Sequence, residues 1–161
     1  MIVLSEKLSD IPILSLQTGG ELGRTVNGII DPRNMSIMAL YITGSLVNER
    51  PAVLHVEDIR EIADMGYIID DSSKIMPLDG LVRLREVIDF NFHLVGLPVH
   101  DRAGQNLGKV SDYTFDAEGF TIQQLYVNRP FLKSLTTSSL IIARSQLISV
   151  ANDKIIVDTP T

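Results

Sequence analysis

The chain contains no cysteine and no tryptophan in 161 residues, and aromatic side chains make up only 6%. Without cysteine there is no disulfide framework, no thiolate metal site and no cysteine nucleophile. With so few aromatics, the core must rest on Ile, Leu and Val. Long apolar runs are missing as well: none approaches the ~18 residues that a membrane-spanning helix needs. The first residues, Met1-Ile-Val-Leu-Ser-Glu-Lys-Leu8, lack a basic region, and their apolar run stops at Ser5. No signal peptide is read there, and a cytoplasmic protein is expected. Basic residues are outnumbered, 14 Lys and Arg against 20 Asp and Glu, for a net charge of −6. Nucleic-acid affinity comes largely from Lys and Arg neutralising phosphates, so a nucleic-acid partner is disfavoured.

What is present is a globular composition, 45% apolar and 21% charged, enough for one ordinary domain or two very small ones. An internal repeat decides between them. A shift of 85 aligns Leu22-Gly23-Arg24 with Leu107-Gly108-Lys109, Asp31 with Asp116, Ile37 with Ile122, Leu40 with Leu125, and Tyr41 with Tyr126. Further on, a shift of 88 aligns Ile59 with Leu147, Ala63 with Ala151, Ile68 with Ile156, and Asp70 with Asp158. One three-residue insertion after Asn128 accounts for the change. Two copies of one fold follow.

Each copy reads as strands and turns. Gly19-Gly20 and Ala103-Gly104 supply permissive backbone for tight turns. Strands are expected at Val26–Asp31, Ile37–Thr43 and Ala52–Val56, and at Lys109–Asp116, Ile122–Asn128 and Leu140–Ala143. Asp31-Pro-Arg-Asn34 and Asp116-Ala-Glu-Gly119 are matching turns opened by an aspartate. Each copy closes on a hairpin-like pair, Ile59–Ala63 with Tyr67–Asp70 and Leu147–Ala151 with Ile155–Asp158. The fold class is mainly β, with residues 1–76 and 95–161 each forming a small barrel or sandwich. Between them, at 77–94, Leu81, Leu84, Val87 and Ile88 fall at helical spacing with charges opposite. A helix over 78–91, N-capped by Asp79, is expected to dock its apolar stripe.

The recurring Leu-Gly-basic motif, the strand ending in Asp and the second strand carrying Leu-Tyr-aliphatic resemble the PRC-barrel family. In this chain the matching residues are Leu22, Gly23, Asp31, Leu40 and Tyr41, then Leu107, Gly108, Asp116, Leu125 and Tyr126. Ile68-Ile69-Asp70 and Ile156-Val157-Asp158 fit the terminal hairpin. That family includes the cytoplasmic domain of the photosynthetic reaction-centre H subunit and the C-terminal domain of the ribosome maturation factor RimM. The resemblance implies two tandem PRC barrels and a non-catalytic adaptor that binds another protein. A RimM-like role on a ribosomal protein or rRNA is the alternative. Unlike RimM, both halves match the PRC pattern, and the reaction-centre subunit has a membrane span that is not read here.

Motifs for chemistry are sparse. Gly104-Gln-Asn-Leu-Gly108-Lys109 has one residue too few between its glycines for a phosphate loop, and Val110 stands where Ser or Thr would hold magnesium. His55, His93 and His100 lack metal-ligand spacing. No G-x-S-x-G elbow exposes a serine. No catalytic residue, cofactor or metal is therefore expected. Glu57, Asp58, Glu61 and Asp64 read as a solvated face or a docking surface for a basic partner. Residues 1 to 78 carry a charge of −5 and residues 79 to 161 a charge of −1.

Two surfaces stand out. The strand Ile37-Met-Ala-Leu-Tyr-Ile42 is apolar on both faces, and a small barrel buries only one. Ile37, Tyr41, Ile122 and Tyr126, with Leu81, Leu84 and Ile88 of the helix, are therefore expected to pack between the barrels or on the helix. A homodimer would cover the same residues. Near the insertion, Arg129, Phe131, Leu132, Lys133 and Leu135 combine cations with apolar anchors and no acid. They form either a partner-docking loop or a plug for their own barrel.

Overall fold

The computed structural model describes residues 1–44, 47, 51–79, 81–129 and 139–159. Its chain runs through short strands: β1 (Ile2–Leu4), β2 (Pro12–Ser15), β3 (Glu21–Asp31), β4 (Ser36–Thr43), β5 (Ala52–His55), β6 (Glu61–Ala63), β7 (Gly66–Ile69) and β8 (Met76–Pro77). Helix α1 (Val82–Asp89) follows, then β9 (Pro98–Asp101), β10 (Asn106–Asp116), β11 (Ile122–Asn128), β12 (Ser139–Ala143), β13 (Leu147–Val150) and β14 (Ile155–Val157). The protein is mainly β. Among the described residues, no helix is long and apolar enough to cross a membrane.

Two sheets share one strand order. The first runs β6-β7-β2-β3-β4-β5-β8; the second runs β13-β14-β9-β10-β11-β12, with β1 added to β10. The likeness extends to register. Pro12, Ile13 and Leu14 face Arg24, Gly23 and Glu21; Pro98, Val99 and His100 face Lys109, Gly108 and Asn106, with the irregularity in the same place. The parallel pairs also match, Ile13 to Tyr67 and Val99 to Ile155. A one-residue difference in turn length between β2–β3 and β9–β10 turns the register of 86 into 85. Six strands of each sheet thus follow the same order, while β8 and β1 have no counterpart.

The recurrent Leu-Gly-basic motif has a steric cause. A methyl group on Gly23 would lie 2.8 Å from the Thr43 carbonyl oxygen, and one on Gly108 would collide with the carbonyl oxygen of Asn128. Thr43 and Asn128 are themselves repeat equivalents. Gly108 also has φ +124°, where only glycine is at ease. The glycine lets the end of the neighbouring strand cross close over its own strand.

Barrel closure is not found among the described residues. Strands β6 and β8 edge one sheet, and β12 and β13 edge the other. In the second sheet a side chain reaches across the gap: Gln146 accepts a hydrogen bond from the Ala143 N–H and donates one to the Asp158 carbonyl.

Two compact units result, and they interleave in sequence. The first holds Glu6–Asp31 and Ile37–Phe90; the second holds Met1–Ser5, Pro32–Ser36 and Asn91–Thr161. Divisions at 76 and 94 do not coincide with these units, because pairing overrides chain order. Strand β1 joins the second unit through Leu4 to Thr114 and Ile2 to Asp116. The tip Pro32–Ser36 joins it through a bridge from Ser36 to Thr121 and a hydrogen bond from the Ile122 N–H to the Met35 carbonyl.

The matching turns end on a feature hidden from sequence reading. Met35 and Phe120, 85 apart, both adopt left-handed backbone with φ near +50°, and both are buried. Such backbone costs a non-glycine residue ~1–2 kcal/mol, so packing must hold it. Phe120 stacks on Phe115 with ring centroids 5.5 Å apart, and its N–H donates to the Asp116 carbonyl. The opening aspartate acts as expected in the second copy, where Asp116 accepts from the Glu118 N–H. That bond, ahead of the neighbouring terminal amine, holds the Asp116 carboxyl below the ordinary carboxylate range. Asp31 is buried. The glycine-rich segment before Lys109 is a hairpin turn: the Gly104 N–H bonds the Asp101 carbonyl and the Gln105 N–H bonds the Asp101 carboxylate.

Burial pushes the phenols of Tyr67 and Tyr113 up to about 12, with the Asp112 charge adding to the effect at Tyr113. A raised phenol pKa favours the native state fully below the unfolded value near 10, and this stability is lost as pH rises towards 12. Alkaline titration followed at 295 nm should show these two tyrosines ionising late, together with loss of structure. Ionisation of both near pH 10 with the fold intact would contradict the burial.

Candidate partner-binding surface

Cross-strand pairs share a face of a sheet, so the ladders define which side chains stand together. In the second sheet, Leu4 pairs with Thr114, Thr114 with Gln124, and Gln124 with Ala143. The next row joins Asp112, Tyr126 and Ile141. The opposite face carries Val110, Phe115, Leu125, Val127 and Ile142, all buried. The first two rows form the outer face of the second sheet, although Thr114 among them is itself buried.

The outer face of the first sheet is built from the repeat equivalents. Ile29 corresponds to Thr114, Ala39 to Gln124, Tyr41 to Tyr126 and Val53 to Ile141. There the face is covered. Leu84 and Val87 of α1 are buried against Ile29, Ala39 and Val53, and Tyr41, Leu81 and Ile88 pack around them. The helix is shorter than the 78–91 expected, because Leu78 and Leu81 are drawn into this cluster before helical geometry begins. Asp79 does not cap it; Leu81 occupies the N-cap position, and the Asp79 carboxylate lies 3.7 Å from Arg85.

Among the described residues, no helix covers the equivalent face of the second unit. Ile141 is 52% exposed, Ile2 56% and Leu4 42%, with Tyr126 half-buried among them. Ile2, Gln123, Gln124, Ala143, Arg144 and Ser145 line a groove of about 600 Å³ at one end of this face. Asp112 holds the other end, accepting hydrogen bonds from the Ser5 hydroxyl and the Tyr113 N–H.

Arg144 was invisible to motif reading. Its Nη1 donates to the Met35 carbonyl at 3.0 Å and the Ile122 carbonyl at 2.8 Å, and its Nη2 donates to the Asn34 carbonyl. The one available signal is a break in the repeat, since Arg144 stands opposite Val56 at the shift of 88. Arg144→Ala should remove three charge-assisted bonds and cost about 2 kcal/mol, allowing for its partial exposure. Urea melts of the variant check this; an unchanged midpoint would contradict a clamping role.

The residues singled out from sequence are now placed. Leu84, Ile37 and Ile122 are buried, and Tyr41, Leu81 and Ile88 lie in the helix cluster of the first unit. Strict alternation put Ile122 on the same face as Tyr126. Instead Ile122 faces Phe115 on the inner side, because the ladder shifts register between Thr114 and Phe115. Ile37 likewise lies beside Leu8 and Leu40 at Gly28. Arg129 is exposed at the end of β11, and Phe131, Leu132, Lys133 and Leu135 lie outside the described residues. Of the acidic group, Glu57 and Asp58 lie in the turn after β5 with Asp58 3.9 Å from Lys74, Glu61 is on β6 and Asp64 is in the following turn. His93 bonds Asn91, while His55 and His100 lie on different sheets. Among the described residues no three His, Asp or Glu side chains converge as metal ligands would. No family model matches the chain, and no curated protein matches it.

Proposed function

We propose that this protein is a non-enzymatic, cytoplasmic adaptor that binds another protein, built on two tandem PRC-barrel-like units. One observation carries the reading. Among the described residues, the outer face that α1 covers in the first unit is open in the second and presents Ile2, Leu4, Tyr126 and Ile141. A grouped apolar surface with a polar surround is the signature of a contact surface. The PRC-barrel resemblance supports the same class of activity, through the Leu-Gly-basic and Leu-Tyr landmarks shared by both copies. A role in ribosome maturation is the second reading, supported by the RimM likeness alone.

The test is a photoreactive residue at position 141 of the full chain in cells, with position 95 as an equally exposed control. A discrete protein adduct at 141 and none at 95 is the expected result. Adducts to ribosomal proteins, together with co-sedimentation with ribosomal subunits, would select the second reading. Absence of any adduct at 141 would overturn adaptor binding through this face.

A further inference from the structure

We infer that the open face of the second unit takes a short amphipathic helix from a partner, with a basic N-terminal half and an acidic C-terminal half. This rests on the adaptor reading above and says what the partner presents. The first argument is the internal control that the duplication provides. On equivalent positions of the same fold, the covering element is an eight-residue helix that buries Leu84 and Val87. The open face keeps the two features that receive such a stripe, Tyr126 for Tyr41 and Ile141 for Val53. It replaces Ile29 and Ala39 by Thr114 and Gln124. Thr114 is buried beside Leu4, but the partly exposed Gln124 suits a face that stays wetted when unoccupied, whereas a permanently covered face carries no such need.

The second argument is charge. Relative to the covered face, the open one gains a carboxylate at one end, Asp112 where the first copy has Asn27. It gains a cation at the other, Arg144 where the first copy has Val56. Between them, Asp116 lies 3.5 Å from the amino group of Met1, so that pair adds little net charge. Ile141, which shares a row with Asp112, and Arg144 are three residues apart, ~10 Å along the strand. An eight-residue helix is ~12 Å long. Its positive N-terminus and basic side chains would therefore meet Asp112, and its negative C-terminus and acidic side chains would meet Arg144. Helix α1 has this polarity itself, with Arg83 and Arg85 before Glu86 and Asp89. A peptide of residues 78–91 is thus a ready probe.

The experiment measures fluorescence anisotropy of that labelled peptide against the full chain, with light scattering of the chain alone. Two further peptides serve as comparisons: one with the helix charges Arg83, Arg85, Glu86 and Asp89 reversed in sign and Asp79 kept, and one scrambled. The expected result is saturable one-to-one binding, at least tenfold weaker for the charge-reversed peptide and absent for the scrambled one. Ile141→Asp, an exposed position whose change should leave the melting curve in place, should lower affinity at least tenfold. Asp112→Lys should narrow or invert the preference between the two charge patterns. Equal binding of both patterns, no binding, or a homodimer dispersed by Ile141→Asp would overturn the proposal. If the position-141 adduct forms in cells while the peptides fail to bind, the adaptor reading stands and the helix assignment falls. If both fail, both fall.

Discussion

Replacing Gly108 by alanine should destabilise the protein by about 4 kcal/mol and leave little folded material at 37 °C, the effect of a clash with unyielding backbone. The added methyl would collide with the carbonyl oxygen of Asn128, part of the ladder between β10 and β11, so relief requires moving a strand. The φ of +124° adds strain that no rearrangement of neighbours removes. Gly23→Ala should cost less, because the contact with Thr43 is 2.8 Å and the backbone there is not left-handed. Gly119→Ala is the control: the nearest atom lies 3.9 Å away, and a change below ~0.5 kcal/mol is expected. Chemical melts of the three variants give the ranking. If Gly108→Ala melted like Gly119→Ala, the close strand approach offered as the reason for the repeated motif would be wrong.

The second large effect concerns the helix. Leu84 is fully buried, and Leu84→Ala should cost about 3 kcal/mol through lost transfer energy and the cavity left behind. For a chain of this length that corresponds to roughly 10 °C in Tm. Leu84→Asp should do more, releasing α1 and exposing Ile29, Ala39 and Val53, with dye binding to the uncovered face as the second readout. Val82, 79% exposed on the same helix, is the matched control, and Val82→Asp should be nearly silent. A small effect at Leu84 would mean that α1 contributes little to the first unit. The comparison drawn with the open face of the second unit would then lose its basis.

Much of the architecture was legible because duplication prints the same constraints twice. Steric needs recur at fixed spacing, so Gly23 with Gly108 and Asp31 with Asp116 could be aligned before any strand was placed. The shifts of 85 and 88 reappear as strand β3 against β10 and strand β7 against β14, with equal ladder registers. The amphipathic stripe of α1 was readable for the same reason, since periodicity is a local property of the chain.

Non-local pairing settled the rest. The assignment of Met1–Ser5 and Pro32–Ser36 to the second unit comes from hydrogen bonds to strands about a hundred residues away, which no local pattern encodes. A register shift in one ladder moved Ile122 to the interior while leaving Tyr126 outside, and strict alternation cannot foresee such a shift. The left-handed turns at Met35 and Phe120 rest on tertiary packing that outweighs intrinsic backbone preference. Arg144 acquires a role only where three carbonyls converge on it. By itself the sequence determined two copies of a mainly β fold, the glycines they need and the apolar stripe of one helix, because these follow from local sterics and periodicity. Only the tertiary structure decided that the helix covers one of two equivalent faces, because burial depends on which distant surfaces meet.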